Sequence, residues 1–444
     1  MSADSFQPLH LLAINLTRRC NLACAHCYLD ADALRSGARD ELTTAEVRNV
    51  IEELASRSAE TMVVLTGGEP LLRRDLEQII ACGAERGLAM VVGTNATLLS
   101  ERRARSLKQA GALGLGISVD SLDAGYHDRF RGSPGAWRRT MAGIDAARRA
   151  GLSFQIHFSV SEGNAHELPA MIGFARAAGS RALNVFFLVC TGRGESVIDL
   201  SPLRYEQVLK ELIEAQERCP EIIIRPRCAP HFKRVAFQRN PDSALNRISG
   251  REGDGCIAGV HYCRITPEGG VTACPYVEGE QGNVRSRPFL EIWDHGADFQ
   301  RLRSPELRGK CGVCEFRALC GGCRARPLAQ GGDIMDADSM CAYAPRGGTL
   351  IAPLGARALH DLNWSPEAEK CLQRVPAFLR GLVRKRAEAY VAGLGQDTVL
   401  PDHLSQLAAR RFGGGGPTPP ERFPARSSAP HLEAREPLEP EARR

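Results

Sequence analysis

The sequence predicts an α/β fold in which a partial barrel of six βα units is followed by a cysteine-rich module and a small helical domain. From residue 9 to residue 225, short apolar or β-branched runs alternate with amphipathic helical stretches, as in βα units on a parallel sheet. From 226 to 345 the cysteine density rises and periodicity weakens, and residues 356–412 become helical again. A chain of 444 residues that is 43% hydrophobic can bury a core of this size.

Six short apolar runs are the predicted barrel strands. They cover residues 11–16, 62–66, 90–94, 113–119, 153–160 and 183–189, and a seventh apolar run covers 222–224. The first helix begins with a capping box, Thr43 with Glu46 three residues on, ahead of Val47, Ile51 and Leu54 at helical spacing. The loop before this helix therefore lies at the C-terminal ends of the strands, where catalytic groups of α/β barrels collect.

Three cysteines lie in that loop with the spacing Cys20-x3-Cys24-x2-Cys27. Three thiolates this close in sequence can hold three corners of a cubane iron–sulfur cluster and leave the fourth iron without a protein ligand. A structural zinc site closes with four ligands, and the spare donor nearby, His26, lies directly beside Cys27. The spacing therefore favours an iron–sulfur cluster with one open iron.

This spacing, with Tyr28 after the third cysteine, resembles the motif of the radical S-adenosylmethionine (SAM) enzymes. The resemblance implies a partial (β/α)6 barrel and a 4Fe-4S cluster whose open iron takes the amino and carboxylate groups of SAM. An electron from that cluster then cleaves SAM to a 5'-deoxyadenosyl radical.

Groups at the ends of later strands fit the same site. The run Gly67-Gly68-Glu69-Pro70 follows the second strand, where glycines permit close backbone approach and a carboxylate ends the strand. It resembles the family segment that holds the SAM amino group. The resemblance implies further SAM contacts from Thr94, Asn95, Ser118, Asp120 and Ser159. The stretch after Asp120 resembles the family's fourth-strand loop, in which His127 is either a substrate contact or a structural histidine.

The cysteine-rich module indicates metal ligation, because its cysteines far exceed what core packing requires. A closed zinc ribbon of Cys311, Cys314, Cys320 and Cys323 is one alternative. The whole arrangement instead resembles the SPASM extension of radical SAM enzymes, which carries two auxiliary 4Fe-4S clusters.

The SPASM resemblance assigns a ligand to every auxiliary position. Cys256, Cys263, Cys274 and Cys323 would hold the first cluster, and Cys311, Cys314, Cys320 and Cys341 the second. The spacing from Cys320 to Cys323 is one residue shorter than usual in the family, so the division between clusters stays open. Full ligation by cysteine favours electron transfer to or from the substrate as the role of these clusters.

Several sequence segments suggest the substrate. The runs 191–194, 227–232 and 263–269 resemble SPASM-type enzymes of alternative haem biosynthesis and of the modified haem of nitrite reductase, and some also occur in maturases of tungsten-cofactor oxidoreductases. The resemblance implies decarboxylation or oxidation of side chains on a tetrapyrrole. Candidate carboxylate partners are Arg193, Arg227, Arg324 and Arg326. Cys228 and His231 are candidate axial ligands to a haem iron. The alternative is that Cys228 is a buried thiol and His231 a capped histidine, both with structural roles.

The C-terminal part divides in two. Residues 356–412 resemble the small C-terminal domain of the light-independent protochlorophyllide reductase subunit, with a basic helical hairpin that docks on the barrel or a partner as the alternative. Residues 413–444 carry four consecutive glycines and seven prolines, which predicts a disordered tail.

Composition excludes several classes of protein. No apolar run suits a membrane span and no secretory signal precedes the first strand, so we expect a cytoplasmic enzyme whose sixteen cysteines stay reduced. The net charge of +5 is modest and scattered, which gives nucleic-acid binding no support. The expected partners are a small tetrapyrrole substrate and a reducing donor such as flavodoxin or ferredoxin.

Two other functions are weighed against tetrapyrrole modification. The first is a maturase of a peptide or metalloenzyme, although only nineteen residues precede Cys20, fewer than an N-terminal peptide-recognition domain needs. The second is an iron–sulfur scaffold or electron carrier, which would not need Gly67 to Pro70 or the polar strand ends.

Overall fold

A computed structural model gives the fold. It describes residues 8–29, 31, 40–58, 60–197, 199–241, 243, 255–351, 362–375 and 377–412. The predicted tail at 413–444 lies outside these residues. Within the described ranges, no helix combines the length and the apolar character that a membrane crossing requires.

Seven parallel strands form the barrel sheet in chain order, which confirms the predicted α/β partial barrel. They are β1 (Leu11–Asn15), β2 (Met62–Thr66), β3 (Ala89–Thr94), β4 (Gly114–Ser118), β5 (Phe154–Val160), β6 (Ala182–Phe187) and β7 (Ile223–Arg227). The six predicted strands are confirmed to within two residues at each end. The seventh apolar run is a full strand, because it pairs with the exposed edge of β6 from Ala182 to Phe186.

Among the described residues, eight α-helices accompany these strands. They are α1 (Thr44–Arg57), α2 (Leu76–Glu85), α3 (Glu101–Gln109), α4 (Ala124–Phe130), α5 (Ala136–Ala150), α6 (Leu168–Ala177), α7 (Pro202–Arg218) and α8 (His231–Arg239). The capping box of α1 is confirmed, since Thr43 accepts from the Glu46 amide and the Glu46 carboxylate accepts from the Thr43 amide at 2.7 Å. Val47, Ile51 and Leu54 are buried against the sheet as the spacing predicted.

The sheet continues past the end of the predicted barrel. Strand β8 (Tyr262–Ile265) pairs in parallel with the free edge of β1, and β9 (Val271–Thr272) pairs antiparallel with β8. The nine strands run in the order β7-β6-β5-β4-β3-β2-β1-β8-β9. The cysteine-rich module is therefore joined to the barrel by backbone hydrogen bonds across the boundary predicted at residue 225.

The rest of the chain forms short helices and a small C-terminal unit. The cysteine-rich module contains α9 (Phe289–His295), α10 (Ala297–Arg303), α11 (Gly309–Gly312) and α12 (Ala325–Ala329). The C-terminal unit contains β10 (Asn363–Trp364), α13 (Pro366–Gln373), α14 (Ala377–Gly393), β11 (Thr398–Val399) and α15 (Pro401–Phe412). Its own apolar core gathers Ala368, Ala387, Val391 and Val399.

Candidate functional site

The loop of three cysteines leaves the end of β1 and lies against the end of α4. The backbone amides of Ala23 and Ala25 donate to the carbonyls of Arg131 and Phe130 at 3.2 and 2.9 Å. Cys20 is buried, whereas Cys24 and Cys27 are partly exposed. Burial raises the pKa of the Cys20 thiol to about 12, so binding of a metal there must displace a proton.

His26 does not join the three cysteines as a fourth donor. Its ring stacks on Phe130 with the ring centroids 4.5 Å apart, and its Nε2 lies 3.9 Å from Oδ2 of Asp120. Burial lowers the pKa of His26 to about 4. The loop thus offers three thiols, as expected for a cluster with one open iron.

The turn Gly67 to Pro70 packs directly onto the cysteine loop. The Gly68 amide donates to the Thr17 carbonyl at 2.7 Å, and the Glu69 amide donates to the Arg19 carbonyl at 2.8 Å. A Cβ on Gly68 would come within 2.1 Å of the Arg19 carbonyl oxygen, and Gly67 has a φ of +130° that side chains rarely adopt. Both glycines are required for this close approach.

Glu69 joins the turn to the end of β3. Its fully buried carboxylate accepts hydrogen bonds from Thr94 Oγ1 at 2.7 Å and from the amides of Asn95 and Leu71 at 2.9 and 3.0 Å. Burial raises the pKa of Glu69, while these hydrogen bonds oppose the rise. Asn95 also donates to Asn21 beside Cys20. The structure therefore brings four predicted SAM-site residues to the cysteine loop: Gly68, Glu69, Thr94 and Asn95.

The other predicted residues collect around Asp120. Its Oδ1 accepts from the Ser159 amide at 2.9 Å, and its Oδ2 lies 2.5 Å from Nη2 of Arg131. Burial alone would raise the pKa of Asp120, but Arg131, with smaller effects of His26, His127 and the Ser159 amide, holds the pKa below its usual range. Ser118, the last residue of β4, lies two positions earlier at the same edge.

Arg131 is a site residue that the sequence reasoning missed. It is buried, and its Nη1 lies 3.6 Å from Sγ of Cys24. The guanidinium thus connects Asp120 with the cysteine loop and places a positive charge beside a thiol. A signal was present, because Arg131 belongs to the stretch that resembles the family's fourth-strand loop. His127, also from this stretch, is buried on α4, and burial lowers its pKa to about 4.

Polar side chains also line the inside of the barrel. Arg227 donates from Nε to Oδ1 of Asn184 at 3.0 Å, and Asn184 donates to Oε1 of Gln155 at 2.8 Å. His157 packs so closely on Gly116 that a Cβ there would lie 2.4 Å from its Cε1. Gln155 and His157 alternate with apolar residues along β5, a period-2 signal that could have identified them.

The four candidate arginines fall into two kinds. Arg193 donates to the carbonyls of Cys24 and Ala31 at 3.0 and 3.1 Å, so it braces the cysteine loop. Arg324 donates to the carbonyls of Ile334 and Asp336 at 3.0 Å, and Arg326 contacts Asp338 at 3.1 Å. These internal acceptors correct the assignment of Arg324 and Arg326 as substrate forks, since both side chains are buried and engaged. Arg227 keeps its place facing the barrel interior.

His231 is likewise engaged within the protein. Its side chain is 1% exposed and its Nε2 lies 3.2 Å from Oδ2 of Asp338. Burial lowers the pKa of His231 despite this carboxylate. The structure thus favours a buried structural histidine over an axial ligand to a haem iron.

Four cysteines of the second module gather at one place. Burial raises the pKa of Cys274 well above its usual range, and the neighbouring thiols of Cys228, Cys256 and Cys323 raise it further. Cys228, Cys274 and Cys323 share an apolar cluster with Val189 and Val277. This group contains three of the four ligands predicted for the first auxiliary cluster.

Cys263, the fourth predicted ligand, lies elsewhere. It is fully buried in the main core, on the face of the sheet that Leu12 occupies on the paired strand. Successive side chains of a strand point to opposite faces, and Arg264, the next residue of β8, lies over the Tyr28 ring with 5.9 Å between its Cζ and the ring centroid. Strand alternation thus turns Cys263 away from the other three cysteines.

The second predicted set stays together. Cys311, Cys314, Cys320 and Cys341 line one depression, beside Arg234 and Lys310. Cys341 and Cys311 add to the effect of burial in raising the pKa of Cys320. Cys323 lies instead with Cys228 and Cys274. The four cysteines of the alternative zinc ribbon, which included Cys323, are therefore not gathered at one place. Among the described residues no three Cys, His, Asp or Glu side chains surround a point suited to a single metal ion.

An aromatic contact joins the cysteine loop to the first auxiliary group. The rings of Tyr28 and Tyr276 meet edge to face with their centroids 5.6 Å apart. Tyr28 follows Cys27, and Tyr276 lies two residues after Cys274. The two sites are thus in direct side-chain contact through this pair.

Three family models match the chain. Residues 14–175 match the Radical SAM superfamily, residues 256–315 an iron–sulfur cluster-binding domain, and residues 364–407 the proto-chlorophyllide reductase 57 kD subunit. The second match favours iron–sulfur clusters over zinc in the cysteine-rich module.

Similar proteins include enzymes of haem metabolism. An AdoMet-dependent heme synthase of Methanosarcina barkeri (strain Fusaro) is 40% identical over 341 residues, which are 76% of this chain and 97% of that protein. A pre-heme d1 synthase of Dinoroseobacter shibae is 31% identical, and the match covers 75% of this chain and 86% of that protein. A PqqA peptide cyclase of Granulibacter bethesdensis is 27% identical, and the match covers 79% of this chain and 91% of that protein.

Two solved structures share the fold. Streptococcus suis SuiB bound to S-adenosylmethionine superimposes with a TM-score of 0.62 at 17% identity, over 76% of this chain and 78% of that chain. The structure described as anSMEcpe with bound AdoMet gives a TM-score of 0.58 at 17% identity, over 75% and 90%. These likenesses extend through the barrel and into the cysteine-rich module.

Proposed function

Because this chain belongs to the radical SAM superfamily, among relatives that include AdoMet-dependent heme synthases, we propose that it decarboxylates or oxidises side chains of an iron tetrapyrrole. The observation that carries the proposal is the match along nearly the whole length of a heme synthase. The pre-heme d1 synthase match supports the same substrate class.

The cysteine loop suits the cluster that this chemistry requires. Cys20, Cys24 and Cys27 would hold a 4Fe-4S cluster, which supplies the electron that cleaves SAM to a 5'-deoxyadenosyl radical when it is bound. Arg131 beside Cys24 offsets the negative charge of the thiolates. In this proposal Gly67 to Pro70, Thr94, Asn95, Ser118, Asp120 and Ser159 form the wall against which SAM is oriented.

Arg227 is the residue that we expect to hold a substrate carboxylate. It faces the barrel interior from the end of β7, and Asn184 accepts a hydrogen bond from its Nε. Burial lowers the pKa of Arg227, which reflects the desolvation of its charge. A guanidinium binds a carboxylate through two parallel hydrogen bonds, and burial strengthens that pairing. A propionate is therefore a suitable occupant.

The reaction balances only with an electron acceptor. The 5'-deoxyadenosyl radical takes a hydrogen atom from the propionate carbon that lies β to the carboxylate. This transfer gives 5'-deoxyadenosine and a substrate radical. Loss of CO2 from that radical leaves a vinyl group and releases one electron. We propose that two auxiliary 4Fe-4S clusters carry this electron away and that it reaches them near Tyr276. A flavodoxin or ferredoxin would donate the electron that cleaves SAM.

An anaerobic turnover assay tests the proposal. Protein loaded with iron and sulfide, reduced and given SAM, should form 5'-deoxyadenosine, and iron coproporphyrin should lose CO2 in step with it. Cys24→Ala should form none. Arg227→Gln should keep the slow cleavage of SAM without substrate but bind iron coproporphyrin at least about tenfold more weakly, since a charged hydrogen bond contributes about 1.5–3 kcal/mol.

Two outcomes would favour the other functions. If no tetrapyrrole binds while a short peptide stimulates SAM cleavage, the chain is a maturase, as the PqqA peptide cyclase match would then suggest. If fully loaded protein does not cleave SAM, it is an iron–sulfur carrier or scaffold.

A further inference from the structure

Cys228 has a backbone conformation that a cysteine seldom adopts. It follows the last residue of β7, and its φ of +57° lies in the left-handed region. Such a conformation is unfavourable for a non-glycine residue and persists only where its surroundings enforce it. Here Arg326 Nη2 donates to the Cys228 carbonyl at 3.0 Å, and the Tyr205 hydroxyl donates to it at 3.4 Å.

The enforcing residues are themselves fixed. Arg326 is 3% exposed, contacts Asp338 at 3.1 Å and donates to the Leu188 carbonyl at 3.2 Å. Asp338 accepts a hydrogen bond from the Cys323 amide at 2.7 Å. One buried network therefore sets the backbone at both Cys228 and Cys323, two thiols that lie on segments almost a hundred residues apart.

The neighbours of the Cys228 side chain are other cysteines. It packs in the apolar cluster that contains Cys323 and Cys274, together with Tyr276. The thiol of Cys256 lies close enough to that of Cys228 for the two to interact electrostatically. Cys274, Cys256 and Cys323 are the ligands predicted for the first auxiliary cluster that the structure keeps together.

From this placement we propose that Cys228 is the fourth thiolate ligand of the first auxiliary cluster, in the position that the sequence pattern gives to Cys263. The sequence pattern misassigns this ligand because strand alternation turns Cys263 into the core among apolar residues. A cubane is held by four thiolates, and the donor set of Cys228, Cys256, Cys274 and Cys323 completes it. Arg326 would offset part of the charge that these thiolates carry.

The inference rests on the auxiliary clusters of the proposed function but not on its substrate. Its test is therefore made on full-length chain in which Cys20, Cys24 and Cys27 are all replaced by Ala, so that only auxiliary clusters remain. This background should hold about eight irons per chain. Adding Cys228→Ala should lower that content to about four and remove one cluster from the Mössbauer spectrum, whereas adding Cys263→Ala should leave both unchanged.

A second variant guards against loss of the fold. Cys228→Ser keeps a weaker ligand of similar size, and we expect it to retain the far-UV circular dichroism of the background while one auxiliary cluster is lost or changes its reduction potential. The inference is overturned if both Cys228 variants keep two unaltered auxiliary clusters. It is also overturned if Cys263→Ala loses a cluster to the same extent. Assays with tetrapyrroles do not affect this result, so failure of the substrate proposal is recognised separately.

Discussion

At the scale of single residues, the candidate site depends on contacts that leave no space for a larger side chain. The Gly68 backbone lies against residues 18 and 19 of the cysteine loop, and its amide is bonded to Thr17. The amide of Glu69 is bonded to the same loop, while its carboxylate reaches Thr94 and Asn95. Displacing one glycine would therefore move the carboxylate and the cysteine loop together.

We predict that Gly68→Ala lowers SAM cleavage by at least about tenfold and destabilises the protein by about 1–3 kcal/mol, the usual range for overpacking. Its Cβ would meet the Arg19 carbonyl oxygen at 2.1 Å. The matched control is Gly173→Ala on α6, where a Cβ meets nothing within 4 Å. Urea unfolding should show the control unchanged or stabilised by about 0.5–1 kcal/mol. Equal activity in both variants would refute the steric argument.

Single residues also show where sequence reasoning reaches its limit. Glu69 and Asn95 could be predicted, because each lies within three residues of the end of a strand and strand ends share one edge. Arg131 was missed although it belongs to a stretch that resembles the family's fourth-strand loop, because its contact with Cys24 joins segments more than a hundred residues apart. The neighbours of Cys228 likewise lie far away in sequence, and only the folded chain shows the contact. The choice of Cys263 rested on a ligand pattern that takes no account of which face of β8 the residue occupies.

At the scale of elements, one ion pair joins the first two helices to the first strand. Arg73 donates to Asp75 at 2.8 and 2.6 Å and to the carbonyls of Leu16 and Leu42 at 2.9 Å. Asp75 precedes α2 and accepts from Thr44, the first residue of α1, at 2.6 Å. Hydrogen bonds from Arg73 lower the pKa of Asp75 to about 2.

This shift predicts acid sensitivity. Because the pKa of Asp75 is lower in the folded state, its stabilisation is present above the unfolded value of 3.8 and is lost as the pH falls towards about 2. Asp75→Asn should therefore cost about 2 kcal/mol of unfolding free energy at pH 7 and much less near pH 2. Urea titrations at several pH values measure the difference. Glu85→Gln, which removes an exposed carboxylate at the end of α2, serves as the control, and equal pH profiles would contradict the prediction.

The elements of the barrel were easier to predict than those of the second module. Strands 62–66 and 153–160 could be recognised because apolar runs between turns give a local signal. Strand β8 was missed, since its four residues lie in a region of weak periodicity and their partner is β1 at the other end of the barrel. Pairing of this kind depends on the free sheet edge and leaves no local pattern.

At the scale of the whole molecule, the C-terminal unit is nearly self-contained. Trp364 donates to Glu388 at 3.0 Å, and Arg384 lies over the Trp364 ring while it pairs with Glu369. These residues and the apolar core of the unit all belong to residues 362–407. A contact with the barrel occurs where Gly381 approaches the side chain of Glu60.

We predict that a chain ending at residue 351 keeps its iron content and its cleavage of SAM, because every proposed cluster ligand and the packing of Ile351 near Cys320 are retained. Iron analysis and formation of 5'-deoxyadenosine measure this. A chain ending at residue 340 is the control: it lacks Cys341 and should lose about four irons. If the longer truncated chain also loses iron, the C-terminal unit supports the clusters after all.

The pairing of β1 with β8 has a consequence for biosynthesis. The first strand leaves the ribosome early, yet the neighbour that covers its outer edge ends at Ile265. Until then the nascent chain exposes an unpaired strand edge, and long-range pairing of this kind is slow. The cysteine loop follows that same strand, so a rigid receptacle for iron and sulfide is completed only late in translation. Cluster assembly factors would thus meet an open loop during synthesis and a finished site only after its last strand has docked.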